Sequence, residues 1–302
     1  MSTGPAPTIG LPGDRAAVRS LRFDDVVATY VVDGVLTMKA AAFFPDIPAE
    51  YWSARPELCT ASGDLLMSAG GVLLEIGGSK VLIDAGVGAL TEVYVIGSVD
   101  CGSLVDVLGA LGVRPEDIDL VAFTHLHFDH AGWAYANGAK TFPNARYVLA
   151  AREWAPYDQG DHIDDLTTPR HVISQLSSDN VELIDDGDEI VPGVHALVTP
   201  GHTPGHTSYV ITSLAGRRLV VLGDAFHSPA QLGRPEWMSV ADSDASAVAG
   251  ARRRLLAELS APNTLGFGFH FGDQPFGRIV TGADGLATWE PVPTLVLAPP
   301  PR

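Results

Sequence analysis

The sequence predicts an α/β fold in which two β-sheets pack face to face with helices outside. Strand-like β-branched runs recur in both halves of the chain and are interleaved with helix-like segments, the pattern of a layered domain. No linker-like stretch separates the halves, so a single domain is expected over residues 21–295. A loose N-terminal arm is expected at 1–20 and a proline-rich tail at 296–302. His and Asp residues gather where predicted strands end, which is where open sheets present chemistry.

In chain order, Val26–Val32 reads as a strand closed by an Asp33-Gly34 turn. The aromatic, proline-punctuated stretch 42–52 reads either as a loop or short helix covering a pocket, or as core under a long connection. Gly71–Ile76 and Lys80–Asp84 flank Gly77-Gly78-Ser79 and predict a hairpin. Ser103 is positioned to cap a helix reaching about Leu111, with Gly112 as its stop. The apolar run Leu120–Thr124 reads as a buried strand, Arg146–Ala150 as another, and a helix is expected to start near Arg152. The stretch Asp158–Ser178 gives no clear pattern. Val194–Val198, Ser208–Ile211 and Leu219–Leu222 are strand-like. A helix is expected from about Asp244 to Leu259, with Val248, Ala251, Leu255 and Leu259 on one face and Ser243 or Asp244 as N-cap. Arg252–Arg254 then reads as its solvated face. A glycine-rich strand, Leu265–His270, precedes a last strand pair.

Composition excludes several functions. With 19 basic and 36 acidic residues the formal charge is −17, so a nucleic-acid or anionic-membrane partner is not expected. A hydrophobic fraction of 46% supports a substantial core. Two cysteines without a Cys-x-x-Cys motif suit a reducing compartment. The N-terminus lacks a basic segment followed by an apolar core, so a cytoplasmic protein is expected.

The decisive motif is His125-Leu126-His127-Phe128-Asp129-His130. If the strand continues through it, His125 and His127 point to one side and converge, while Asp129 and His130 address a second point nearby. Imidazole and carboxylate donors suit zinc, iron, manganese or cobalt. Further signals sit at later strand ends: Asp84, His202 within Thr199–His206, Asp224 after Gly223, and His270.

These motifs, in this order over roughly residues 25 to 290, resemble the metallo-β-lactamase fold superfamily. The resemblance implies a four-layer αββα sandwich of two mixed sheets. It also implies two divalent metal ions, with zinc first in expectation. His125, His127 and His202 would hold one; Asp129, His130 and His270 the other; Asp224 would bridge them and Asp84 would orient a ligand histidine. His227 and the ending Phe269–Arg278 look like the methyl parathion hydrolase group, with the quorum-quenching lactonases close by. His227 is therefore a candidate substrate-binding residue or proton donor, and Asp129 a candidate catalytic residue. His206 is expected to be structural, and His162, His171 and His195 to lie on the surface or in loops.

Two such ions stabilise a bridging hydroxide at neutral pH. The expected activity is therefore hydrolysis of an ester or lactone of a small hydrophobic substrate, with phosphotriesters as an extension. Phe43, Phe44, Trp52 and Trp133, with Trp154 and Trp237, are candidates to line its pocket. A thioester hydrolase of the glyoxalase II kind and a non-catalytic metal-containing binding or regulatory protein are the alternatives. A homodimer is the assembly considered.

Overall fold

Alternation along the strands sorts the apolar residues into layers in the computed structural model, which describes residues 6–158, 169–179 and 181–301. Ala28, Tyr30 and Val32 of the strand Val26–Lys39 enter the core between the two sheets, whereas Val31 faces outward under helices. Val81 and Ile83 likewise point inward and Leu82 outward. On the other sheet Leu219 and Val221 meet the central core while Val220 faces a helix. Burial on both faces explains why these strands read as nearly unbroken apolar runs.

The first sheet runs in the order Glu182–Ile184, Arg146–Ala150, Leu120–Ala122, Ser79–Ile83, Asp64–Ile76, Val26–Lys39, Val18–Phe23, Leu295–Ala298. Its first four strands are mutually parallel and the others antiparallel. A hairpin of Leu90–Tyr94 and Gly97–Cys101 pairs with Val26–Lys39. The second sheet is ordered Glu189–Val191, Val194–Val198, Thr207–Thr212, Arg218–Val221, Thr264–Phe267, Phe276–Thr281, Ala287–Pro291, with one parallel pair between Arg218–Val221 and Thr264–Phe267. Helices Leu104–Ala110 and Arg170–Leu176 cover the outer face of the first sheet. Helix Ala245–Leu259 covers the second, burying Val248, Ala251, Leu255 and Leu259, and Asp244 caps it by accepting from Ser246 N and Ala247 N. This is the mixed αββα sandwich.

Several expectations change. The arm expected at 1–20 is tied down: Thr8 bridges Thr294, the strand Val18–Phe23 starts inside it, and Arg19 is buried on Asp273. The expected tail begins within the strand Leu295–Ala298. Asp33-Gly34 is no turn. The strand Val26–Lys39 runs through it with a register shift, and the buried Asp33 carboxylate accepts from the N–H groups of Val87, Gly88 and Leu104 and from Trp133 Nε1. It is therefore Asp33, not Ser103, that satisfies the first amide of the helix Leu104–Ala110. Arg252 is fully buried rather than solvated. Residues 159–168 of the unpatterned stretch 158–178, and His162 with them, lie outside the described residues. Among the described residues no helix is long and apolar enough to cross a membrane.

Candidate metal centre

The strand Leu120–Ala122 ends earlier than the sequence suggests, so the histidine motif is extended chain followed by a short helix, Phe128–Ala131. Convergence survives because His127 keeps extended backbone angles, φ −63° and ψ 156°. Across the sandwich, His202 follows Val194–Val198, Asp224 lies in a turn after Arg218–Val221, and His270 follows Thr264–Phe267. Together these residues form two adjoining buried groups, one of His125, His127 and His202 and one of Asp129, His130, Asp224 and His270.

In the first group His202 Nε2 lies 3.1 Å from His125 Nε2 and 2.9 Å from His127 Nδ1. Ligand atoms on one tetrahedral zinc are about 3.3 Å apart, given Zn–N bonds of about 2.0–2.1 Å, so the spacing suits a shared ion. In the second, Asp224 Oδ1 is 3.1 Å from both His130 Nε2 and His270 Nε2, and Asp129 Oδ2 is 3.6 and 3.7 Å from the same nitrogens. The other oxygen of Asp224 faces the first group, 3.5 Å from His202 Nε2 and 3.9 Å from His125 Nε2. His130 Nε2, His270 Nε2 and Asp224 Oδ1 are buried without a hydrogen-bond partner, which protein groups rarely tolerate. Orphaned donor atoms converging in this way fit a pair of divalent cations, and nitrogen with carboxylate donors suits zinc.

Four of the five ligand imidazoles are held from behind by identified acceptors. His130 Nδ1 donates to Asp84 Oδ2 at 2.7 Å, and Asp84 also accepts from Thr124 N and Thr124 Oγ1. With its hydroxyl hydrogen spent on Asp84, Thr124 Oγ1 accepts from His125 Nδ1 at 3.0 Å. His202 Nδ1 donates to Asp242 Oδ1 at 3.2 Å, and His270 Nδ1 to Ser68 O at 2.9 Å. These acceptors assign the proton to Nδ1 and turn the Nε2 lone pair of each ring inward. Burial and neighbouring imidazoles hold His125 well below the usual histidine range; burial likewise holds His202 well below it, against the pull of Asp242. His130 and His270 are shifted up instead, because Asp224 and Asp129 outweigh burial. The two carboxylates thus draw positive charge into the second group, and a divalent ion supplies it.

His206 is structural: burial pushes it down to about 3, and its Nε2 accepts from Asp224 N at 2.8 Å, fixing the bridging residue. His171 is exposed and His195 lies 3.8 Å from Glu189, and neither belongs to a ligand group. His227 is buried with both ring nitrogens unbonded, and its Nε2 lies 3.2 Å from Asp224 Oδ2.

The aromatic candidates divide. Phe43 and Phe44 set ring edges toward His227 at centroid distances of 5.4 and 6.4 Å, and Trp52 packs behind Phe44. All three are buried wall. Trp133 instead bonds Asp33 and packs with the helix-side core. Open space lies elsewhere. A cavity of about 520 Å³ is walled by Tyr51, Trp237 and Trp289, of which only Trp237 stood out in the sequence. A second, small pocket of about 10 Å³ shares Pro12, Leu58 and Pro229 with that cavity and is lined by His227 and His270.

Sequence reasoning missed Thr124, Ser68, Arg252 and Asp33. Arg252 donates to Asp242 Oδ2 at 2.9 Å and to the carbonyls of Ala225, Pro235 and Trp237, bracing the carboxylate that holds His202. Its signal was available: Asp242 and Arg252 flank the start of one helix, and a buried partner for His202 had to come from somewhere.

Comparison with known proteins agrees with this geometry. The family model for the metallo-beta-lactamase superfamily matches residues 71–264, which include every ligand except His270. An N-acyl homoserine lactonase of Bacillus sp is 33% identical over 168 residues, covering 51% of this chain and 62% of that protein. The chain thus matches less than two thirds of that relative's length. Among solved structures, AidC, described as a dizinc quorum-quenching lactonase, superposes with a TM-score of 0.80 at 20% identity, covering 93% of this chain and 99% of that one. The hydrolase AbOPH gives 0.75 at 25% identity, covering 92% and 98%. With more than half its length matched by that family model, the chain belongs to the metallo-β-lactamase superfamily.

Proposed function

We propose that the protein is a two-metal hydrolase that opens a lactone or cleaves a simple ester. Asp224 carries this reading, since its two oxygens are divided between two buried imidazole groups. The curated relative's name makes an N-acyl homoserine lactone the first substrate to test. Divalent ions held by His125, His127 and His202 and by Asp129, His130, Asp224 and His270 would supply an activated water at neutral pH and a Lewis acid for the substrate carbonyl.

The chain's own residues set the conditions for that chemistry. Asp84, Asp242 and the Ser68 carbonyl hold protons at Nδ1 of His130, His202 and His270, so Nε2 of each ring is the atom presented inward as a ligand. His206 keeps Asp224 in place through its backbone amide. His127 and Asp129 are the most open of the ligand residues, at 9% and 7% exposure, and define the edge where substrate meets the site. His227, whose Nε2 lies 3.2 Å from Asp224 Oδ2 with no hydrogen-bond partner of its own, is placed to pass a proton to a leaving oxygen. The Phe43 and Phe44 rings exclude water from its far side.

Elemental analysis with a lactone and ester panel tests this. The wild type should hold two equivalents of zinc and hydrolyse the panel, and Asp224→Ala should lose both. His227→Gln should keep the metals while hydrolysis falls about a hundredfold or more. A fully metallated wild type with no turnover on any lactone or ester refutes the proposal.

A further inference from the structure

Five described arginines are not exposed, and four of them have a carboxylate oxygen within 4.0 Å: Arg15 with Asp100 at 3.5 Å, Arg19 with Asp273 at 2.5 Å, Arg218 with Glu258 at 2.6 Å and Arg252 with Asp242 at 2.9 Å. Arg234 is the exception. Its Nη1 donates to the carbonyl of its chain neighbour Gly233, at 3.1 Å, and among the described residues its other N–H groups have no acceptor. A partly desolvated guanidinium without a counter-charge is unfavourable, and in a chain of 36 acidic residues a partner was readily available.

Its position suggests what completes it. Arg234 lies in the wall of the 520 Å³ cavity, as does Arg55, whose guanidinium stacks over Tyr51 at 4.0 Å. The other charged residues of that wall, Glu57 and Asp284, are exposed and neither forms an ion pair with these arginines. An arm reaching from this cavity to the metal groups would pass the 10 Å³ pocket that shares its wall and is lined by His227 and His270, a passage with room for a single water. Of the arms an acyl ester can carry, an unbranched methylene chain has the smallest cross-section for so narrow a space.

We propose that Arg234 binds a carboxylate at the far end of the substrate's acyl arm. The arm then threads the passage with its ester or lactone carbonyl at the metal groups, so the inference rests on the hydrolase reading above. A guanidinium presents a fork of N–H donors matched to a carboxylate. Trp237 and Trp289 offer apolar wall to the methylenes, and Arg55 adds a second cation.

Two esters of equal arm length decide it: p-nitrophenyl hydrogen suberate, ending in a carboxylate, and p-nitrophenyl octanoate, ending in a methyl. The metal-loaded wild type should favour the suberate in kcat/KM by on the order of tenfold to a hundredfold. Arg234→Gln should erase that preference, bringing the suberate-to-octanoate ratio of kcat/KM to about one; Arg234→Lys should keep part of it. The Arg234 side chain bonds only its own neighbour, so the fold should be insensitive to these changes. Equal suberate preference in wild type and Arg234→Gln overturns the proposal.

A second readout needs no turnover. Titration with N-methylsuberamate, followed by tryptophan fluorescence, should saturate in wild type and weaken by a similar factor in Arg234→Gln. If neither ester is cleaved yet suberamate binding depends on Arg234, the anion site stands and the hydrolase reading falls. If esters are cleaved and nothing depends on Arg234, the anion site falls alone.

Discussion

Replacing Asp242 by alanine separates the role of the buried frame from that of the metal ligands. Asp242 and Arg252 side chains are both fully buried, 2.9 Å apart, and Asp242 also accepts from Ser239 N at 2.8 Å and from His202 Nδ1. Burial works against the charged carboxylate, but the His202 hydrogen bond, His227 and Arg252 more than offset it and hold Asp242 well below the usual range. Asp242→Ala therefore strands a buried guanidinium, a loss of about 3–5 kcal/mol. It also frees the His202 ring, which should weaken metal binding about 10–100-fold. Urea unfolding with excess chelator isolates the first effect, and zinc competition against a chromogenic chelator measures the second. Arg252→Met is the control. It should lower stability while leaving Asp242 bonded to His202, so its zinc affinity should stay closer to wild type. A chelator-treated Asp242→Ala within about 1 kcal/mol of wild type would refute the assignment of this pair as a buried charge clamp.

Other residues give separate outcomes. Asp84→Asn should lower zinc affinity about 10–100-fold by disturbing His130, with little effect on the fold, because asparagine tolerates the φ of 62° found there; isothermal titration checks this. Asp33→Ala leaves four N–H donors unsatisfied and should cost more than about 4 kcal/mol at roughly 1–3 each, read by urea unfolding. Glu153 is buried among Leu126 N, Thr203 Oγ1 and Gly205 N, and burial raises its pKa. A raised folded-state pKa means its contribution is fully present below the ordinary carboxylate range and declines as pH rises. The stability gap between wild type and Glu153→Gln, measured in chelator, should therefore narrow from pH 5 to pH 8, and a widening gap contradicts the shift.

The ligands were legible because metal chemistry constrains both residue type and local spacing: His125, His127, Asp129 and His130 declare themselves within six positions. The sheets were legible because strands buried on two faces read as apolar runs. What packs opposite was not legible. Asp33-Gly34 has the composition of a hairpin turn, yet three backbone amides and an indole, from Val87 to Trp133, converge on the carboxylate and keep it in a strand. Arg252 sits in a run of three arginines, and only the carbonyls of Ala225, Pro235 and Trp237 make its burial tolerable. Trp133 follows the motif by three residues, but the short helix Phe128–Ala131 turns it towards Asp33 and away from the metal groups. In each case the deciding partner lies far off in sequence.

The distribution of ligands over the two sheets links stability to metal content. His125, His127, Asp129 and His130 all follow the strand Leu120–Ala122 of the first sheet, whereas His202, Asp224 and His270 follow strands of the second. Each metal group draws on both. An ion in either group therefore bridges the sandwich at one end of its central core, where hydrogen bonds already cross: His270 Nδ1 to Ser68 O and Tyr30 Oη to Phe269 O. Because the ligands assemble only when the sheets are packed, metal binding free energy adds to folding free energy. Conversely, changes in the bracing residues act twice, loosening the sheets and lowering metal affinity together. Buried Asp33, by contrast, supports the first sheet alone, so Asp33→Ala should destabilise the fold with a smaller effect on zinc affinity than Asp242→Ala. That difference distinguishes a residue that holds one sheet from one that holds the joint between them.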